Sequence, residues 1–162
     1  MSGSISSAAC LVLLAACAPA ASLRQGWALQ SSAVVHDSGS ALSTTAYHPQ
    51  GWHRASLPST VLSALVADGT YPDPYAAMNL RSIPGTSYPI GVNFSNLPMP
   101  AGSPFAVPWW YRTEFTLPAA DRGKTIWLDF DGLNFRADVW LNGHQVASSD
   151  QLAGGQEQQT QC

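Results

Sequence analysis

The sequence predicts an all-β domain built on antiparallel strands, and three stretches carry that prediction. From Trp110 to Leu117, the residues Tyr111, Thr113, Phe115 and Leu117 alternate with Trp110, Arg112, Glu114 and Thr116. That period of two is the pattern of a half-buried strand. Ile126, Leu128 and Phe130 repeat it against Trp127, Asp129 and Asp131, after a polar turn at Asp121-Arg122-Gly123-Lys124. Ala137, Val139 and Leu141 repeat it again and run into Asn142-Gly143. This dipeptide suits a type I′ hairpin, whose two central residues both need positive φ. His144 to Ala147 would return as the partner strand, so the centre of the domain reads as an antiparallel meander.

The remaining elements follow in chain order. Ala8 to Ala16 is a short apolar run, ended by the small residues Ala18-Pro19-Ala20. It reads as a secretory signal peptide over residues 1–21, which makes the product secreted or extracellular. Leu14-Ala15-Ala16-Cys17 also fits a lipobox, but the segment before it carries no Lys or Arg, which argues against lipidation. After cleavage only Cys162 of the three cysteines would remain, so the fold must rest on its apolar core. Trp27 to Val35 reads as the first strand, Asp37 to Ser40 as a turn and Gly51 to Ala55 as a short strand. Ser59-Thr60 precedes Val61, Leu62, Leu65 and Val66 at helical spacing, and Gly69 stands where a helix would stop. This short helix is expected to cap one end of the domain. Pro72 and Pro74 exclude regular structure over Thr70 to Pro74. Ile83 to Pro108 is a long proline-rich loop, of a length that is often functional.

Composition bounds the function. A chain of 162 residues suits one domain. With 46% hydrophobic and 10% charged residues it is globular. A net charge of −3 gives no basic footprint, so nucleic acid is not expected as a partner. No apolar run is long enough to cross a membrane.

The words YRTEFTLP (111–118) and IWLDFDGLNFRADVWLNG (126–143) resemble the N-terminal domain of glycoside hydrolase family 2. SLPSTVLSALVADGTYPDPY (56–75) is similar to the branch that holds exo-β-glucosaminidases and β-mannosidases. The resemblance implies a galactose-binding-like jelly-roll β-sandwich over residues 22–154. It implies an accessory domain of a secreted retaining hydrolase, whose partner is carbohydrate, a β-linked hexosamine or mannose glycan, in the full-length enzyme. The alternative is a free-standing carbohydrate-binding sandwich. Family members have an alternating aromatic strand where this chain has Gly155 to Gln161, which carries no apolar residue. Residues 155–162 are therefore expected to be a disordered polar tail that leaves the sandwich incomplete at its C-terminal end, as in a chain cut short.

A retaining glycosidase needs two carboxyl groups about 5–5.5 Å apart. Asp129 and Asp131 lie two residues apart on one strand face, which approaches that distance, but a solvated face beside a turn explains them as well. In the family the acid/base and the nucleophile are glutamates of a following barrel domain. Glu114 and Glu157, the two glutamates here, match neither motif, so no catalytic residue is assigned. His36, His48, His53 and His144 show no metal spacing, and no cofactor motif occurs. The resemblance does place three residues on loops that reach the sugar site in the family: Asp73, Asn79 and Asp150. Each could hydrogen-bond a sugar hydroxyl. Each also has a plain structural use in a turn or on a solvated surface.

Overall fold

A computed structural model describes residues 21–85, 99–133, 136–152 and 158–161. The expected signal peptide lies outside these apart from its last residue, as do all three cysteines and half of the proline-rich loop. The elements in order are β1 (Trp27–Ser31), α1 (Gly39–Leu42), β2 (His53–Ala55), α2 (Val61–Ala67), β3 (Trp109–Arg112), β4 (Trp127–Phe130), β5 (Val139–Leu141), β6 (His144–Ala147) and β7 (Gln158–Gln161). They form a three-stranded sheet of order β2-β1-β3 and two pairs, β4-β7 and β5-β6. Every pairing is antiparallel. The fold is thus mostly strand with little helix, as the sequence predicts.

The core lies between the three-stranded sheet and α2. Leu29 of β1, Ala55 of β2 and Ala64 of α2 are buried together, with Trp27, Val61, Trp109 and Tyr111 packed around them. Leu65 and Ile83 are also fully buried. Helix α2 forms where its caps predict. The Thr60 hydroxyl accepts from the Ser63 amide at its start, and Gly69 follows its end with φ of +82°. Ala64 turns the helix toward the face of the sheet.

Five expectations need correction. The centre is not a meander, because β3, β4 and β5 do not pair with one another. The strand begun at Trp109 stops at Arg112 instead of reaching Leu117. Its partner explains this. Arg112 pairs with Ala28, near the start of β1, and Gly26 with φ of +79° turns the preceding chain away. Thr113 makes one last tie, its hydroxyl to the Gly26 carbonyl at 3.1 Å, and Phe115 and Leu117 are left exposed. Strand β1 likewise ends at Ser31, not Val35, because the Ser31 carbonyl accepts from the amides of both Val34 and Val35 and closes a turn.

A fourth correction concerns the part of the tail that is described, residues 155–157 and 162 lying outside the described residues. Gln158–Gln161 is strand β7, paired residue by residue with Phe130 to Trp127. The expectation of disorder rested on side-chain propensity, which is a weak and context-dependent guide in sheets. Strand pairing is made by main-chain groups, and β4 offers them an open edge. On β4 itself the alternation holds: Trp127 and Asp129 are exposed, Leu128 and Phe130 half-buried.

The hairpin forms as predicted. Asn142 has φ of +49° and Gly143 of +88°, and Leu141 pairs with His144 across them. The segment expected to be a turn at Asp37 to Ser40 instead opens the one-turn helix α1, with Ser38 as its cap. Gly39 lies flat against the Trp140 indole, where a Cβ would come within 2.4 Å of ring atoms. The hairpin is thereby docked onto α1.

Candidate functional site

The loop from Asp73 to Asn79 is the most defined of the candidate positions. The Asp73 carboxylate Oδ1 accepts from the Tyr75 amide at 2.9 Å, an Asx turn built on Pro72-Asp73-Pro74. The Asn79 side-chain amide donates to the Asp73 carbonyl at 3.0 Å and closes the loop on itself. The Ser82 hydroxyl then donates to the Asn79 carbonyl at 2.7 Å. Ala77 is held at φ of +48°, an unusual conformation for a residue with a side chain. Asp73 and Asn79 are thus brought together, as two halves of one braced turn. Tyr75 stands at its tip, 94% exposed, with Met78 beside it in sequence and also exposed. Tyr75 escaped the sequence reading. Its signal was the pair of prolines that forces the chain out of regular structure just before it.

Asp150 is placed differently. It lies in the turn after β6, where its carboxylate is 3.6 Å from the Arg136 guanidinium and 87% exposed. Such a pair is screened by water and holds little. No hydrogen bond or ion pair among the described residues links Asp150 to Asp73 or Asn79. Asp129 and Asp131 are exposed at the end of β4, and Glu114 is tied to Arg112. Among the described residues no group of three His, Cys, Asp or Glu could hold a metal ion. No helix among them is long and apolar enough to cross a membrane.

One cluster with the residue types of a catalytic relay does occur. His53 of β2 holds Asp68 at 2.7 Å through Nδ1, and the Thr70 hydroxyl lies 3.2 Å from the same nitrogen. Thr70 also donates to Asp68 Oδ1 through its hydroxyl at 2.6 Å and its amide at 3.0 Å. A relay needs hydroxyl and carboxylate on opposite ring nitrogens, so that a proton can pass through the imidazole. Here both meet Nδ1, and the cluster is a tie between β2 and the end of α2.

The tie has a pH signature. Burial by itself would raise the Asp68 pKa, but the Thr70 hydroxyl and amide and the His53 ring outweigh it and hold the carboxyl below the usual range. A group with a lowered folded-state pKa stabilises the fold above its unfolded-state value, and that stability is lost as pH falls through the folded one. Resistance to urea unfolding is therefore expected to fall below about pH 4, and Asp68→Asn to flatten that dependence. An identical acid slope in the variant would show that Asp68 does not couple to folding.

Of the tryptophans, Trp127 on β4 is exposed, and Trp27, Trp52, Trp109, Trp110 and Trp140 are half-buried. Trp109 uses its indole N–H on the Pro104 carbonyl at 3.0 Å. Sugar rings stack on open aromatic faces, and among the described residues the rings of Tyr75, Trp127 and Phe115 are exposed to meet one.

Residues 105–152 match the family model described as the glycosyl hydrolase 2 galactose-binding domain-like domain. An exo-β-D-glucosaminidase of Streptomyces avermitilis is 40% identical over 129 residues, 80% of this chain and 12% of that protein. The exo-β-D-glucosaminidase of Amycolatopsis orientalis is 36% identical over a similar span, 11% of its length. The crystal structure of the exo-chitosanase CsxA from the same organism superposes with a TM-score of 0.67 at 34% identity, over 84% of this chain and 14% of that one. The chain therefore spans about an eighth of the length of the relatives it matches.

Proposed function

We propose that this chain, which carries the galactose-binding-like domain of glycosyl hydrolase family 2, is the N-terminal accessory part of a secreted exo-β-glucosaminidase-type hydrolase. The observation that carries the reading is the 40% identity to an exo-β-D-glucosaminidase over 80% of this chain, with the same fold in a solved relative. A β-mannosidase B of Aspergillus terreus is 32% identical over a shorter span, so glucosamine is preferred to mannose as the sugar. In this role the braced Asp73–Asn79 loop presents Asp73 Oδ2, Asn79 Oδ1 and the Tyr75 ring toward the sugar. Asp150 would act from a second loop. The exposed apolar side chains Phe115, Leu117 and Trp127 suit a domain that rests against others.

The chain alone is expected to show no hydrolysis of aryl β-glucosaminides or β-mannosides, because neither Glu114 nor Glu157 matches a catalytic motif. Turnover above a heat-killed control, abolished by Asp129→Asn, would overturn the accessory role. Sequencing the gene beyond the codon for Cys162 tests the same reading from the other side. A barrel-coding frame is expected there, and its absence would count against it.

The pairing of β7 on β4 favours a second reading, in which the domain binds carbohydrate by itself. Calorimetric titration with glucosamine oligomers separates the two. Saturable heat lost in Tyr75→Ala would support the self-sufficient module.

A further inference from the structure

We infer that Asn142-Gly143 is a deamidation site held in check by Ser43. An asparagine followed by glycine is the pair most open to this reaction, because no side chain hinders the attacking nitrogen. The Gly143 amide nitrogen gives up its proton and attacks the Asn142 side-chain carbonyl carbon. A carbon–nitrogen bond forms, the bond to the side-chain nitrogen breaks, and ammonia leaves. Water then opens the cyclic imide at either carbonyl and leaves an aspartyl or isoaspartyl residue. Nothing is oxidised or reduced, and water is the one co-reactant.

In a two-residue hairpin the amide of the second turn residue takes no part in the strand ladder. It would ordinarily face water, ready to react. Here the Gly143 N–H is captured by the Ser43 hydroxyl oxygen at 2.9 Å. Ser43 follows α1 directly, and its own amide donates to the Gly39 carbonyl, so the acceptor is fixed in place. The Ser40 carbonyl and the Thr44 methyl lie 3.5 and 3.7 Å from the position of a Gly143 Cβ, and cover that side of the turn. A bound N–H is harder to deprotonate than a free one. The attack also requires the backbone to leave the paired conformation of Leu141 and His144. Asn142 itself is exposed to water, so ammonia can leave and water can enter. Reaction therefore waits on the hairpin lifting away from α1, and isoaspartate at this position records how often it does so.

The test follows the intact chain at neutral pH by mass spectrometry for the gain of one mass unit, and by isoaspartyl methyltransferase labelling of peptides across Asn142. Wild type is expected to react more slowly than a free peptide of residues 141–145. Ser43→Ala is expected to react about three- to tenfold faster than wild type, the factor by which losing one ordinary hydrogen bond raises the open population. Amide exchange at Gly143 should accelerate in the same variant while exchange across β1 and β3 stays slow, which separates local release from unfolding. Equal rates for wild type and the free peptide, or an unchanged rate in a folded Ser43→Ala, would overturn the inference.

Discussion

Arg112→Ala is expected to lower the unfolding free energy by about 3–5 kcal/mol, the cost of removing one side of a buried, charge-assisted network. The Arg112 side chain is 12% exposed. Its Nε donates to the Leu42 carbonyl at 2.8 Å, and Nη2 donates to the carbonyls of Thr44 at 2.9 Å and Tyr47 at 3.1 Å. The guanidinium also lies 5.8 Å from the centre of the Tyr47 ring. The segment from Leu42 to Tyr47 has no strand partner, so these bonds are what anchors it to β3. Truncation would leave three carbonyls to find water or stay unpaired. Arg112→Lys should recover part of the loss, since an ammonium cannot reproduce the planar fork. Glu114→Ala should cost less than about 1 kcal/mol, because the Glu114 side chain is largely in water. Urea denaturation of the three variants gives the ordering, and an unchanged midpoint for Arg112→Ala would remove Arg112 from this role.

Leu29→Ala is the second large effect, expected at about 2–5 kcal/mol for a fully buried leucine. Leu29 is 0% exposed at the middle of the central strand, where His53 and Tyr111 flank it and Ala64 packs over it. Its neighbours belong to three different elements fixed by their own hydrogen bonds, so the cavity cannot collapse easily. With total stability of order 5–15 kcal/mol, such a loss takes a large part of the whole. A change under about 1 kcal/mol in thermal and urea unfolding would place the core elsewhere.

Elements whose cause is local were legible in the sequence. Thr60 and Gly69 bracket α2 because capping and positive φ are decided within a few residues. Asn142-Gly143 makes its hairpin for the same reason. Period-two alternation found the positions of β3, β4 and β5 but not their partners, which depend on which main-chain edge lies open in space. Arg112 shows the limit most clearly. By alternation it belongs on an outer, solvated face, yet its side chain bends back to carbonyls some 65–70 positions earlier in the chain. Gly39 was read as part of a turn because nothing near it in sequence announces Trp140. At the candidate site, Asp73 and Asn79 were found through a family likeness, and their mutual bracing became visible only in three dimensions.

The placement of β1 between β2 and β3 sets an order of events during synthesis. Strand β2 follows β1 closely, but β3 begins only at Trp109. At about 5–20 residues per second, the ribosome needs roughly 3–11 seconds to make the chain from the end of β2 to the start of β3. For that interval the nascent chain carries Leu29 on a strand with one free edge, and Arg112 does not yet exist to fasten the segment after α1. The three-stranded sheet is thus completed, and the segment after α1 fastened, only once the chain has been made as far as Arg112.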